Sequence, residues 1–90
     1  PEAERMGMIY QYYEDDEFEQ CVQQLAQKIA IMPTRGLVLT KQLFNQTHTN
    51  TMKEQLALES TFQIEASQTE DYKEGVAAFI EKRKPYFKGK

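Results

Sequence analysis

The chain has 90 residues, a formal net charge of −3, a hydrophobic fraction of 40% and a charged fraction of 28%, which bounds it to one small globular domain. The negative balance argues against a nucleic-acid partner, which needs a basic face to neutralise phosphates. A single cysteine, Cys21, excludes an intrachain disulfide and suggests a reducing compartment, and with no apolar run of membrane-spanning length and no signal-peptide pattern the expectation is a cytoplasmic chain without a membrane partner.

Pro1 to Met6 read as the tail of a helix, stopped by Gly7 in a left-handed conformation. A start on Pro1 rather than Met fits a fragment or a trimmed product. Met8-Ile9-Tyr10-Gln11-Tyr12-Tyr13 is aromatic and β-branched enough for a short strand. A lone strand has no partner in an otherwise helical chain, so it is expected to belong to a sheet or core elsewhere. From Asp15 to about Met32 the pattern is helical, with Phe18, Cys21, Val22, Leu25, Ala26 and Ile29 on one broad apolar face. The acidic run Glu14–Glu19 suits the positive end of that helix, and Cys21 on the apolar face reads as a buried, inert thiol. Pro33-Thr34 breaks the pattern and opens a second helix, with a stripe of Leu37, Val38, Lys41, Phe44 and Leu43 and with Gly36 permitting close helix approach. Asn45–Asn50 is a polar loop that carries the sole histidine, His48, exposed and without metal-ligating company.

Thr51-Met52-Lys53-Glu54 is a capping box opening a third helix. Met52, Leu56, Glu59, Phe62, Gln63 and Ala66 share its face, and Leu58 lies off it as a second contact surface. Glu59 and Gln63 form either a half-buried polar contact between helices or a ligand contact. After a turn at Ser67–Glu70 comes a last helix, in which Asp71 and Glu74 again have capping-box spacing. Tyr72, Val76, Phe79, Ile80 and Arg83 form its stripe, Lys82, Arg83 and Lys84 its basic last turn, and Pro85 its stop. Phe87 is expected to fill an apolar notch. The fold class is therefore all-α, about four helices behind a short strand-like lead-in, with residues 1–90 as one domain.

No metal spacing, nucleophile motif or phosphate-cradling glycine loop occurs in the sequence. The remaining candidate is Phe79 with Lys82, three residues apart and thus on one helix face. An aromatic ring beside a cation can hold a planar, phosphorylated group by stacking and charge pairing. The alternative is a core Phe and a solvated Lys.

The pattern Asp71-x-x-Glu74-Gly75-Val76-x-Ala78-Phe79-x-x-Lys82-Arg83-x-Pro85-x-Phe87 closely resembles the C-terminal end of the enoyl-CoA hydratase/isomerase (crotonase) superfamily. The likeness extends over nearly all of the chain, through Gly7-Met8-Ile9-x-Gln11, Pro33-Thr34-x-Gly36-Leu37, Lys41-Gln42, Asn50-Thr51-x-x-x-Gln55-Leu56-x-x-Glu59 and Gln63. With Asp71-Tyr72 and the Phe87-Lys88-Gly89-Lys90 ending, it most resembles the phenylacetate-degradation branch, whose members isomerise a ring-1,2-epoxyphenylacetyl-CoA. Tyr12-Tyr13-Glu14 stands where that branch usually has Val-Val-Asp.

The resemblance implies a catalytic α/β core, absent from this chain, followed by a helical region that builds trimers and reaches the CoA of a neighbouring subunit. By motif position Phe79 would approach the adenine and Lys82 its phosphate. On this reading the chain is a detached C-terminal helical domain of an acyl-CoA hydratase or isomerase. It contributes to oligomerisation and has no catalytic residue or cofactor of its own, CoA being part of the substrate. It would be inactive alone. The other reading is a freestanding helical acyl-CoA-binding or protein-interaction module.

Overall fold

Helices α1 (Glu2–Arg5), α2 (Asp15–Ala30), α3 (Thr34–Gln46), α4 (Met52–Ser67) and α5 (Glu70–Glu81) follow one another in the computed structural model, which describes residues Pro1–Lys90. The all-α expectation holds, and the helical tail before Gly7 accounts for the fifth helix. Gly7 has φ 75°; the Gly7 N–H donates to Glu4 O at 2.9 Å and the Met8 N–H to Ala3 O at 2.8 Å. That pair of bonds is the Schellman closure of a helix, with glycine in the left-handed place.

Met8–Tyr13 forms no strand. The segment runs through bends into irregular chain, because no second strand is present to pair with its backbone. Its Met8 and Tyr10 side chains are exposed.

α3 packs against α4, and α4 against α5. The faces that meet are not the stripes expected from the sequence. On α3 the buried residue is Leu39, 3% exposed, with Gly36 and Leu43 half-buried on the same side. Leu37, Val38 and Phe44 are exposed. On α4 the inward residues are Gln55, Leu58, Phe62 and Ala66, while Met52 and Leu56 are exposed. Leu58, off the expected stripe, therefore sits on the packed face. The α3–α4 contact is tied by the Gln55 Nε2 donor to Leu43 O at 3.2 Å and by the Asn50 Nδ2 donor to Gln55 Oε1 at 3.0 Å. An Arg35–Glu65 ion pair also spans it. Glu59 and Gln63 are both exposed and line the groove beside this seam without bonding each other. The half-buried polar contact expected of them is made by Gln55 instead. Gly36 has open space around it rather than a close helix.

α2 has no buried residue; Phe18, Val22 and Ile29 are exposed and Cys21 is half-buried. The Cα radius of gyration is 16.7 Å and the shortest molecular extent 19 Å, against a radius of about 12 Å for a compact domain of this length. The molecule is a flat assembly of helices with most of its apolar stripes facing out.

Candidate functional site at the end of the last helix

The local chemistry that starts and stops α5 positions the Phe79–Lys82 pair. Its N-cap is Thr69, whose Oγ1 accepts the Tyr72 N–H at 3.1 Å. Asp71 and Glu74, expected as a capping box, do not cap. The Asp71 side chain is buried, 2% exposed, and accepts the Lys88 N–H at 2.7 Å and the Gly89 N–H at 2.9 Å; the Asp71 N–H donates to Lys90 O at 2.9 Å. Glu74 accepts the Tyr86 N–H at 2.9 Å and a bidentate pair from Arg83, at 2.6 and 3.1 Å. Both carboxylates are drawn to the returning tail, residues 83–90, because its backbone donors have no helix to satisfy them. The Arg83 guanidinium, then the Tyr86 N–H, hold the Glu74 carboxyl down at a pKa of about 2, and Glu74 in turn raises the pKa of Arg83.

The tail lies along the small-residue side of α5. Phe87 is half-buried over Gly75, where an added Cβ would meet the ring at 3.6 Å, and Ala78 on the same face is 1% exposed. This is the notch expected for Phe87.

α5 ends at Glu81, earlier than the proline stop implies. Lys82 takes the left-handed conformation at φ 54°, ψ 41°. The Lys82 N–H donates to Phe79 O at 3.3 Å and the Arg83 N–H to Ala78 O at 3.0 Å, the same Schellman closure as at Gly7 but with a lysine in the left-handed place. Lys82, Arg83 and Lys84 thus lie beyond the helix rather than in its last turn.

Phe79 is 84% exposed, so its ring is not part of the core of this chain. It borders a groove of about 390 Å³ lined also by Pro33, Gly36, Tyr72, Val76 and Phe87. Lys82 is exposed and enters none of the four ion pairs. Arg83 bonds both Glu74 and Glu81, at 2.6 Å from each. Lys82 lies beyond the helix and does not line the groove at Phe79, so the two share a helix end rather than the one helix face expected of an i, i+3 pair. The Asp71 and Glu74 carboxylates are committed to the tail. Sequence reasoning missed their role, along with that of Arg83, since an acidic i, i+3 pair reads equally well as a local cap.

The enoyl-CoA hydratase/isomerase family model matches residues 1–90. Among curated relatives, the 1,2-epoxyphenylacetyl-CoA isomerase of Escherichia coli is 46% identical over 99% of this chain and 34% of its own length. A probable enoyl-CoA hydratase of Rhodobacter capsulatus is 39% identical over 99% of this chain and 35% of its own. The 2,3-dehydroadipyl-CoA hydratase of Escherichia coli is 32% identical, over 99% and 35%. The chain spans about a third of the length of these relatives.

Proposed function

We propose, because this chain belongs to the enoyl-CoA hydratase/isomerase family, that it is the C-terminal helical part of a longer acyl-CoA isomerase or hydratase. Its role there is to help assemble the oligomer and to complete the CoA site of a neighbouring subunit. The match to about a third of each relative's length leaves room for a separate catalytic core outside this chain. The identity to the 1,2-epoxyphenylacetyl-CoA isomerase favours the phenylacetate-degradation branch and its ring-epoxide substrate over a straight-chain enoyl-CoA. The observation that carries the binding role is the outward Phe79 ring, 84% exposed, at the same helix end as the unpaired Lys82. Phe79 stacks on the adenine of a CoA thioester and Lys82 pairs with its phosphate, with CoA serving as part of the substrate. The exposed stripes of α2, α3 and α5 carry the oligomerisation role, since apolar faces of this extent are covered in a stable assembly.

The chemistry then resides outside this chain, in backbone N–H donors that stabilise a thioester enolate. The 90-residue chain alone is expected to show no hydratase or isomerase turnover with any enoyl-CoA; turnover that follows the purified chain through successive columns would overturn the fragment reading. The binding role is tested in the whole enzyme by Lys82→Ala, comparing CoA thioesters with pantetheine thioesters, which lack the nucleotide. A hydrogen bond to a charged group contributes about 1.5–3 kcal/mol, and solvent screening brings an exposed contact to the lower end, so KM for the CoA substrate should rise about tenfold. The contact is made equally in ground and transition states, so the loss belongs in KM. An unchanged KM, or an equal rise for both substrates, returns Lys82 to the solvated surface.

A further inference from the structure

Lys82 is the only non-glycine residue of the chain with positive φ. The equivalent turn after α1 uses Gly7, the residue that escapes the steric conflict between Cβ and the following carbonyl. A lysine kept in that place is held there by its surroundings. On one side lies the end of α5; on the other, Arg83 immediately follows Lys82 and is tied to Glu74, nine residues back. Glu74 also accepts the Tyr86 N–H, and Asp71 accepts the Lys88 and Gly89 N–H groups, so the chain leaving Lys82 is fastened to the helix at three successive points.

The same guanidinium settles the local charge. Glu81, beside Lys82 in the chain, pairs with Arg83 rather than with Lys82: its Oε2 accepts from Arg83 Nε at 2.6 Å. Glu74 is likewise engaged by Arg83. With Arg83 removed, the adjacent Glu81 carboxylate becomes free to pair with the Lys82 ammonium and compete with a phosphate.

We infer that Arg83 and Glu74 are positioning residues for a nucleotide phosphate. Their bidentate pair locks the left-handed turn that sets the Lys82 ammonium at the Phe79 end of α5, and Arg83 also engages Glu81, the carboxylate next to Lys82. The inference rests on the Phe79–Lys82 reading above, and it assigns to Arg83 and Glu74 an effect exerted only through Lys82.

The test is a double-mutant cycle in the whole enzyme, read as KM for a CoA thioester against KM for the matching pantetheine thioester. Arg83→Gln and Glu74→Gln should each raise KM for the CoA substrate about three- to tenfold, a share of the Lys82→Ala effect, and leave the pantetheine substrate unmoved. Added to Lys82→Ala, neither should raise KM further. If Lys82→Ala raises KM while Arg83→Gln and Glu74→Gln do not, the positioning role is overturned and the binding reading stands. A rise for both substrates, or an effect that persists in the Lys82→Ala background, assigns the pair to structure alone. If Lys82→Ala itself changes nothing, the binding reading fails and the inference with it. Circular dichroism monitors folding, and Glu74→Gln, which keeps the volume and an acceptor oxygen, decides the question should Arg83→Gln unfold.

Discussion

Two residues three apart at the end of α5 illustrate how backbone and side chain set different demands. Lys82 occupies a left-handed turn, where a side chain with a Cβ costs about 1–2 kcal/mol relative to glycine. Glycine would give back about 0.4–1 kcal/mol of this through the greater freedom of the unfolded chain. Lys82→Gly should therefore stabilise the fold by about 0.5–1 kcal/mol while abolishing the proposed phosphate contact. A higher urea midpoint at unchanged slope, together with a raised KM for CoA thioesters in the whole enzyme, is the expected pair of results. A lower midpoint would mean that the aliphatic stem of Lys82 packs usefully and that the turn is not strained. Phe79 differs. Its ring is 84% exposed and contributes little to the core, so Phe79→Ala in the isolated chain should change stability by no more than about 0.5 kcal/mol. The same change in the assembled enzyme reports on whatever covers the ring there.

Among the elements, those set by local rules were legible in the sequence and those set by distant partners were not. The Thr51–Glu54 capping box forms as read, with the Glu54 N–H donating to Thr51 Oγ1 at 3.3 Å and the Thr51 N–H to Glu54 Oε2 at 2.7 Å. Thr51→Ala should cost about 1 kcal/mol in thermal unfolding. Gly7, the break at Pro33 and the α4–α5 turn were equally legible, because each is decided within a few residues. Asp71 and Glu74 carry the same spacing as the true box, yet the tail returning from up to 18 residues away captures both carboxylates. Stripe reading failed for a related reason: Leu37, Val38 and Phe44 are the more apolar side of α3, but the side that meets α4 is Leu39 and Leu43. Of the proposed site, Phe79 and Lys82 are assigned by motif position, whereas the contact of Arg83 with Glu74 was hidden in an ordinary basic helix end. The clamp has a pH signature. The folded-state pKa of Glu74 is depressed from 4.5 to about 2, so its contribution is fully present above the unfolded value and is lost as pH falls through the folded one. The Tyr86 amide should stay protected from hydrogen exchange at pH 5 and lose protection as pH falls from 4.5 toward 2. In Glu74→Gln that dependence should weaken, and a wild-type Tyr86 amide equally protected below pH 2 would show that the Glu74 carboxylate does not hold it.

For the molecule as a whole, the balance between core and surface decides how the 90-residue chain behaves on its own. Only Leu39, Ala78 and Asp71 are buried, and one of these is a carboxylate. Against them stand Phe18, Val22 and Ile29 on α2, Leu37, Val38 and Phe44 on α3, and Tyr72, Val76, Phe79 and Ile80 on α5, all exposed. Contiguous apolar surface beyond a few hundred Å² is rare on monomeric proteins and drives association. The helices supply local order: α2 and α4 each have 16 residues and carry acidic residues in the first turn. Short helices nevertheless depend on tertiary burial for most of their stability, and here that burial must come from another surface. The expected outcome is a helical chain that self-associates at micromolar concentration, with apparent stability that rises with protein concentration. Sedimentation velocity over a concentration series, alongside circular dichroism, measures both. Substituting Phe18 and Ile29 by polar residues should reduce association with little loss of helicity, because both side chains are about half exposed. A monodisperse monomer of native helicity across the series would show that the stripes of α2, α3 and α5 need no cover, and would remove the physical basis for an assembly role.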